Sequence, residues 1–180
     1  MRPISGWIGI ILIFLTAGFA WSDSAPTTAP SATLGHGRLA YSAPDGWEPV
    51  ASATTDTTAA FISADHVGIL AIQLLPTDAV VDSSAGPSIC RQLKAIHAKA
   101  KQRMLLVPTI VKDARFSLCI HERYVDDQGN TDDELHLYRQ AGPLGVMLTV
   151  NARTDDSETA KKTHAVGEDV MLSAAAVRKK

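Results

Sequence analysis

The sequence predicts an α+β fold, with an antiparallel β-sheet of five to seven strands flanked by two main helices in a layered α/β/α sandwich. The first observation is that apolar residues alternate along three consecutive segments joined by short turns. The second is that residues 67–75 are apolar on both faces, as expected of a strand covered on both sides. The third is a pair of segments with apolar residues at helical spacing. The alternating segments are 115–125, 134–140 and 145–152, and the helical segments are 88–104 and 155–177.

The first half of the chain supplies the earlier strands. Residues 38–43 alternate as a strand and end at a Pro-Asp-Gly turn, where proline fixes one φ angle and glycine accepts a positive one. Residues 59–63 predict a short strand before the central one, and residues 105–111 predict another after the first helix. These segments bring the strand number into the range expected for a sheet covered on both faces.

The C-terminal helix has its own start signal. Asp155 and Glu158 have the spacing of a capping box, so we expect the helix to begin there and run to Val177. Gly167 in its middle costs about 1 kcal/mol relative to alanine.

The register of the three alternating segments follows from the parity of their apolar residues. A shift of one residue would turn an apolar set outward. Pairing Asp126 with Thr131 and Arg139 with Val146 places all three apolar sets on one side of the sheet. We therefore expect one apolar and one polar face across these strands.

The predicted polar face brings together the side chains that are most able to form a functional site. His121 lies opposite His136 in this register, and Arg123 lies opposite Glu134. Zinc accepts imidazole and carboxylate ligands, so His121, His136 and Glu134 are the candidate metal ligands. The alternative is an ordinary polar sheet face in which Arg123 pairs with Glu134.

The chain has two cysteines, Cys90 and Cys119. In an oxidising compartment an even count suggests a bridge, so Cys90–Cys119 is the candidate disulfide. Such a bridge would draw the first helix across His121 and His136 and bury them. Two free thiols are the open alternative.

The N-terminal segment predicts export. Residues 1–20 contain one charged side chain, Arg2, followed by an apolar run that is short for a bilayer-spanning helix and ends in small residues. We expect a signal peptide, with an uncleaved anchor as the alternative. Residues 21–36 are rich in Ser, Ala, Pro and Thr and predict a flexible tether, because they bury little apolar area. Residues 37–180 form a single predicted domain, periplasmic or extracellular, whose membrane contact is transient.

The charge of the chain argues against one class of partner. It has 17 basic and 19 acidic residues, and loss of residues 1–20 leaves a net charge near −3. Non-specific nucleic-acid binding needs clustered basic charge to neutralise phosphates. We therefore expect no nucleic-acid partner.

Residues 39–47, Leu-Ala-Tyr-Ser-Ala-Pro-Asp-Gly-Trp, are an aromatic strand running into Pro-x-Gly-Trp. With the hairpin, helix, strand meander and closing helix that follow, this stretch resembles the PsbP-like and DcrB-like proteins from about residue 37 to the C-terminus. The resemblance implies an antiparallel sheet between helices and a non-catalytic accessory or binding protein, often exported. It supplies no catalytic motif that could be placed on residues of this chain, and we expect no cofactor.

The sequence therefore favours a secreted, non-enzymatic accessory or binding protein whose partner is an unidentified envelope or secreted protein. One version of this hypothesis is a protein that neutralises a toxin. The alternative is a metal-binding protein or metal-dependent hydrolase centred on His121, His136 and Glu134.

Overall fold

The computed structural model describes residues 31–76, 79 and 81–177. These residues form ten strands and two helices, which confirms the predicted α+β fold. None of the described helices is both long and apolar enough to cross a membrane. Short 3-10 helices occupy Ala51–Ala53 and Ser83–Ala85. In chain order the other elements are β1 (Ser31–Leu34), β2 (Leu39–Ser42), β3 (Trp47–Pro49), β4 (Thr58–Ser63), β5 (Gly68–Leu74), α1 (Gly86–Lys99), β6 (Arg103–Val111), β7 (Leu118–Val125), β8 (Thr131–Ala141), β9 (Leu144–Arg153), α2 (Ser157–Ser173) and β10 (Ala175–Ala176).

The described strands form two antiparallel sheets. The larger sheet has seven strands in the order β3-β4-β5-β9-β8-β7-β6, so β9 lies near its centre and β6 at one edge. The smaller sheet has the order β1-β2-β10. The larger sheet has the highest strand number that the sequence predicts, and the smaller one is an addition to the predicted architecture.

Helix α2 covers one face of the large sheet. Val170 and Met171 of the helix are buried against Leu148 and Val150 of β9. The helix comes closest at Gly167, where an added Cβ would lie 2.6 Å from Val150 Cγ1. Glycine therefore permits a close approach here, which explains a residue that otherwise weakens the helix.

Helix α1 covers the opposite face. Ile89 and Leu93 of the helix belong to one buried cluster with Leu118 and Ile120 of β7. The next turn on the same side of the helix carries His97, which is 3% exposed. The layer under α1 therefore changes from apolar to polar towards the C-terminus of the helix.

The first helix is shorter than predicted at its C-terminus. It ends at Lys99, because the chain reverses at Lys101, whose φ of 57° is left-handed and cannot continue a right-handed helix. Met104, predicted as its last apolar residue, belongs to β6 instead.

The second helix differs from its prediction at both ends. Asp156, rather than Asp155, caps it, and the Asp156 carboxylate accepts a hydrogen bond from the backbone N–H of Thr159 at 2.9 Å. The helix ends at Ser173, where the chain turns extended to pair with β2 as β10. Val177, the predicted end of the helix, lies after β10 and is 44% exposed.

The hairpin between β7 and β8 is one residue out of the predicted register. Val125, rather than Asp126, pairs with Thr131. The Asp126 carboxylate accepts hydrogen bonds from the backbone N–H groups of Gln128 and Asn130 at 2.9 and 2.8 Å, which holds Asp126 in the turn. A shift of one residue places every side chain of β7 on the other face of the sheet.

The next hairpin keeps the predicted register, since Arg139 pairs with Val146. Leu137 of β8 therefore shares the α2 side with the apolar residues of β9, whereas Leu118 and Ile120 of β7 lie on the α1 side. The prediction of a single apolar face for the three strands is wrong, because both faces carry apolar as well as polar residues.

The folded domain begins earlier than predicted. Residues 1–20, the predicted signal peptide, lie outside the described residues, as do residues 21–30 of the predicted tether. Leu34 is buried, and β1 pairs with β2 along its whole length. The tether prediction is therefore wrong for residues 31–36. Pairing with β2 supplies hydrogen bonds to the backbone of β1, which the amino-acid composition could not indicate.

Cys90 and Cys119 are free thiols on opposite sides of the large sheet. Cys90 packs into the layer under α1, and Cys119 is buried in the layer under α2. The predicted disulfide between them is not formed in this fold. The reason is the register of β7, which places Cys119 on the face away from α1.

Candidate functional site

The register of β7 and β8 separates the residues predicted to form a metal site. His121 lies on the α2 side of the sheet, whereas Glu134 and His136 lie on the α1 side. His136 pairs with Ile120, and Glu134 pairs with Glu122. A single ion cannot bind His121, His136 and Glu134 together, and the prediction of a site formed by these three residues is wrong.

On the α1 side, two of the predicted ligands join two residues that sequence reasoning missed. Glu134 and His136 of β8 meet Glu122 of β7 and His97 of α1, and we call these four residues the Glu122 cluster. Their exposed fractions are 3% for His97, 1% for Glu122, 5% for Glu134 and 1% for His136. Burying ionisable groups this deeply is costly unless they are paired, so their contacts decide what the cluster can do.

The two imidazoles are each anchored through Nδ1. His97 Nδ1 lies 2.6 Å from Gln102 Oε1, and since an amide oxygen only accepts, His97 Nδ1 donates. His136 Nδ1 lies 3.1 Å from Thr149 Oγ1, a hydroxyl that can donate or accept. Both rings are therefore fixed with Nε2 turned towards the centre of the cluster.

Glu134 is anchored in the same way through one oxygen. The Tyr124 hydroxyl donates a hydrogen bond to Glu134 Oε2 at 3.0 Å. The Tyr124 ring also packs on the His97 ring, with their centroids 4.3 Å apart. Tyr124 therefore orients members of the cluster from both the strand and the helix.

The inward-facing atoms converge on Glu122. His136 Nε2 lies 2.9 Å from Glu122 Oε1 and 3.9 Å from Glu134 Oε1. His97 Nε2 lies 3.1 Å from Glu122 Oε2, within ion-pair distance but without hydrogen-bond geometry. Neither atom of this second contact has a hydrogen-bond partner within the described part of the chain.

The contacts shift the pKa values of all four side chains. Burial raises the pKa of Glu122, but His136 and His97 outweigh burial and hold it below its ordinary range. Burial raises the pKa of Glu134, and the Glu122 charge adds to that effect. Burial lowers the pKa of His97 and of His136, but the neighbouring carboxylates outweigh it and raise both. The cluster therefore holds Glu122 ionised and favours a positive charge beside it.

A second cluster lies on the α2 side, and we call it the Asp133 cluster: His121, Asp133 and His164. His121 Nε2 donates to Asp133 Oδ1 at 2.6 Å, and His164 Nε2 donates to the Asp133 backbone oxygen at 3.0 Å. Their side chains are 32%, 10% and 13% exposed, respectively. Both Nε2 atoms thus already serve as donors to Asp133, and the cluster satisfies its own hydrogen bonds.

The pKa values in the Asp133 cluster agree with a carboxylate that accepts hydrogen bonds from its neighbours. Burial raises the pKa of Asp133, but the hydrogen bond from His121 and the other nearby cations outweigh burial and lower it. Burial lowers the pKa of His164. Arg123 Nε lies 3.8 Å from Asp133 Oδ2, so Arg123 pairs with Asp133 and not with Glu134 as predicted.

A third polar group closes the end of the hairpin. Asp132 is fully buried and accepts hydrogen bonds from Asn151 Nδ2 at 2.8 Å and from Arg153 Nε at 3.2 Å. Arg153 also lies 3.5 Å from Asp126 in the turn. These contacts tie the turn to β9, which is a structural role.

The missed members of the Glu122 cluster carried a signal in the sequence. His97 continues the spacing of Ile89 and Leu93, which places it on the buried side of the helix. Glu122 lies two residues after Ile120 and therefore on the same side of β7. With the correct register of β7, His97 and Glu122 could both have been predicted as polar residues on buried faces.

The edge of the large sheet carries a different feature. Strand β6 exposes four large apolar side chains, at 40% to 47% of their surface, and we call this set the β6 rim: Leu105, Val107, Ile110 and Val111. The register with β7 shifts twice along β6, between Met104 and Leu106 and between Leu106 and Thr109. The rim therefore combines exposed apolar side chains with an irregular strand edge.

Comparison with known proteins shows a similar fold in solved structures and no closer relationship. No protein-family model and no curated protein matches the chain. A solved structure of a Mog1 point mutant is 13% identical, covers 85% of this chain and 98% of its own, and has a TM-score of 0.54. The Saccharomyces cerevisiae Ran-binding protein Mog1p is 11% identical, covers 83% of this chain and 96% of its own, and also has a TM-score of 0.54.

A structure of PsbP (CyanoP) from Synechocystis extends this comparison. It is 11% identical, covers 91% of this chain and 99% of its own, and has a TM-score of 0.50. Identities this low show the fold alone. The PsbP-like part of the resemblance is thereby confirmed at the level of fold, and the DcrB-like part stays a prediction. The chain has an α+β fold like that of Mog1 and PsbP.

Proposed function

We propose that this chain is an exported, non-enzymatic accessory protein that binds a partner protein through the β6 rim. The observation that carries the proposal is the exposure of Leu105, Val107, Ile110 and Val111 on the edge strand of a sheet whose inner strands β8 and β9 are almost wholly buried. Contiguous exposed apolar side chains are typical of interaction surfaces.

The edge itself favours contact through side chains rather than through strand addition. Two register shifts interrupt the β6 ladder, and Pro108 lacks the N–H group that a further strand would need at its position. Bulges and prolines are the means by which sheet edges avoid uncontrolled pairing. Ile110 lies on the α1 side and Val111 on the α2 side, so the rim presents apolar atoms around the edge.

The charges beside the rim indicate the chemistry of the partner. Exposed basic residues flank the rim on both sides along the chain: Lys99, Lys101 and Arg103 before it and Lys112 after it. A complementary surface is apolar at its centre and acidic at its border, and such complementarity sets specificity and association rate. The proposed partner is therefore a protein that presents an apolar patch with acidic margins.

The comparisons support the proposal in general terms. Mog1p is described as Ran-binding, so a protein with a similar fold acts by binding another protein. For this chain, residues 1–20 support a partner in the cell envelope or outside the cell, and neutralisation of a toxin is a specific form of the same proposal.

The test compares capture of envelope proteins by the purified wild-type domain and by matched variants. Val107→Asp places a charge in the rim, and Leu172→Asp places the same charge on α2, where Leu172 is 37% exposed. We expect a specific protein to be retained by the wild type and by Leu172→Asp and lost with Val107→Asp. Equal retention by both variants, or no retained protein with any of the three, would contradict the proposal.

A further inference from the structure

We propose that the outward face of α1 binds an anionic phospholipid membrane. Three exposed cations form this face, and we call them the α1 basic face: Arg91, Lys94 and Lys99. The proposal is independent of the protein-binding function, which rests on the exposed apolar side chains of the β6 rim. It also differs from membrane contact through residues 1–20, because it concerns the folded domain.

Charge is distributed unevenly along the chain. Residues 83–112, which include α1 and β6, contain six of the 17 basic residues and none of the 19 acidic residues. The rest of the chain has the remaining 11 basic residues against all 19 acidic ones, a formal charge of −8. A net charge of −2 therefore conceals one strongly basic segment. Its cations are Arg91, Lys94, Lys99, Lys101, Arg103 and Lys112.

These six cations are all exposed, and none of them forms an ion pair with another described residue. The described arginines elsewhere each contact a carboxylate or a backbone oxygen: Arg38, Arg115, Arg123, Arg139 and Arg153. Helix α2 mixes the two signs, since Lys161 pairs with Glu158. Protein surfaces usually intersperse positive and negative side chains. The concentration of unpaired cations on α1 and next to it therefore indicates an anionic binding partner.

The packing of α1 turns these cations outward. The side of the helix that carries Leu93 and His97 is buried against the sheet. At 3.6 residues per turn, the α1 basic face lies on the outer half of the helix. The side chains exposed between its cations are small, namely Ala95 and Ala98. The long basic side chains can therefore all reach one planar surface.

The composition of this segment favours lipid headgroups over a protein or a nucleic acid. Four of its six cations are lysines, and lysine is depleted in protein–protein interfaces, where arginine and aromatic residues are enriched. Residues 83–112 contain no Phe, Tyr or Trp, so the face offers neither an aromatic anchor for a protein nor a platform for stacked bases. Clusters of about four to eight basic residues bind anionic lipids through charge, because mobile headgroups need no fixed pairing geometry.

The charge of the whole molecule would also orient the bound domain. An anionic membrane attracts residues 83–112 and repels the acidic remainder of the chain. The start of α1 packs on β6, since a Cβ added at Gly86 would lie 2.6 Å from Ile110 Cδ1. Binding through α1 would therefore place the β6 rim beside the membrane surface.

The experiment measures cosedimentation of the full chain with phospholipid vesicles. One set of vesicles contains equal parts of phosphatidylglycerol and phosphatidylcholine. The other contains phosphatidylcholine alone, which measures any binding through the apolar residues near the N-terminus. We expect stronger binding to the anionic vesicles, and we expect the difference to disappear as salt is raised to about 1 M, where the Debye length is about 3 Å. Equal binding to both vesicle types at low salt would overturn the proposal.

Matched double variants assign the contact to α1. Arg91→Gln/Lys94→Gln removes two charges from α1, and Lys161→Gln/Lys162→Gln removes two exposed charges from α2 on the opposite face of the sheet. Each cation near an anionic surface contributes about fivefold to partitioning, so we expect about 25-fold weaker binding for the α1 variant. The α2 variant should bind within about twofold of the wild type, because its charges lie beyond the screening distance. Equal losses for the two variants would overturn the assignment to α1.

A competition assay separates lipid from the other anionic partners. Polyglutamate and duplex DNA are each added to wild-type protein bound to anionic vesicles, at the same concentration of negative charge as the vesicles. We expect neither polymer to release the protein. Release by polyglutamate would assign the face to an acidic protein, and release by DNA would assign it to a nucleic acid. Either result would overturn the proposal.

Discussion

His97 Nε2 of α1 and Glu122 Oε2 of β7 lie 3.1 Å apart, in contact across the boundary between the helix and the sheet. His97 follows Ile89 and Leu93 on the buried side of α1, so this polar contact continues the apolar packing of that helix. The helix is thus held at one end by apolar burial and at the other by charge. The second kind of contact depends on protonation, which makes the Glu122 cluster the most testable part of the core.

Replacing Glu122 with glutamine should destabilise the protein strongly. The substitution removes the charge that faces His97 and His136 and leaves both imidazoles buried without it. Breaking a buried pair by removing one partner costs about 3–5 kcal/mol. Urea denaturation measures the loss. Glu158→Gln is the control, because Glu158 pairs with Lys161 at the surface and its loss should cost no more than about 0.5 kcal/mol. Similar small losses for both variants would refute the prediction.

The contribution of the cluster should depend on pH from both sides. Glu122 has a pKa below its ordinary value of 4.5, so it stabilises the fold above pH 4.5 and loses this effect as the pH falls through its folded pKa. His97 and His136 have pKa values above their ordinary value of 6.5, so they stabilise the fold below pH 6.5 and lose this effect as the pH rises through their folded pKa values.

The difference in unfolding free energy between wild type and Glu122→Gln isolates this effect. It should be largest between pH 4.5 and 6.5 and shrink on either side. Burial is the largest cause of the raised pKa of Glu134, and its cost in stability above pH 4.5 is common to both proteins, whereas the part caused by the Glu122 charge is lost in Glu122→Gln. A difference that stays constant from acid to alkaline pH would show that the charge of Glu122 is not the cause.

Replacing Gly167 with alanine should destabilise the protein although alanine favours helices. The added Cβ would lie 2.6 Å from Val150 Cγ1 and 2.8 Å from Val150 Cβ, so α2 would have to shift. Overpacking of this kind costs about 1–3 kcal/mol, which exceeds the gain of about 1 kcal/mol in helix propensity.

A double-mutant cycle assigns the cause of that loss. Val150→Ala removes the obstructing methyl groups, so Gly167→Ala should cost less in that background than in the wild type. Thermal unfolding of the four proteins provides the comparison. A stabilising effect of Gly167→Ala in the wild type would mean that the close contact between helix and strand does not constrain this position.

Both cysteines should titrate as thiols in protein that has never been reduced. Cys90 and Cys119 lie in different layers, with the sheet between them, and both are free. Burial raises the pKa of Cys119 to about 11, so its thiol should react far more slowly than Cys90 in the folded state. A thiol reagent should count two groups after unfolding. A mass lower by two hydrogens in the unreduced protein would indicate a bridge and a different arrangement of β7.

The sequence was sufficient to predict the fold class, both helices and the three-strand meander. Apolar periodicity carries that information, because the alternating apolar residues Leu135 and Leu137 of β8 and Val146, Leu148 and Val150 of β9 lie in one buried cluster. The small sheet was not predictable in the same way. β10 spans two residues, Ala175–Ala176, and forms because β2 offers an open edge next to the end of α2. A segment of two alanines contains no local pattern that would predict pairing with β2.

The prediction of the candidate site was wrong because of one error, the register of β7. The parity argument assumed that the apolar residues of β7, β8 and β9 share one face, whereas β7 places Leu118 and Ile120 under α1 and Cys119 under α2. The carboxylate of Asp126 decides the register through its hydrogen bonds within the turn. A buried glutamate was not anticipated, because charged residues seldom occupy a core face unless they are paired.

The protein-binding proposal is tested most directly by site-specific photo-crosslinking in the cells that produce the protein. A photoreactive amino acid at Val107 should crosslink to one discrete protein, because the β6 rim would lie in the interface. The same amino acid at Leu172, also exposed and apolar, should give no such product. Failure to crosslink at Val107, or the same product from both positions, would contradict a binding surface at β6.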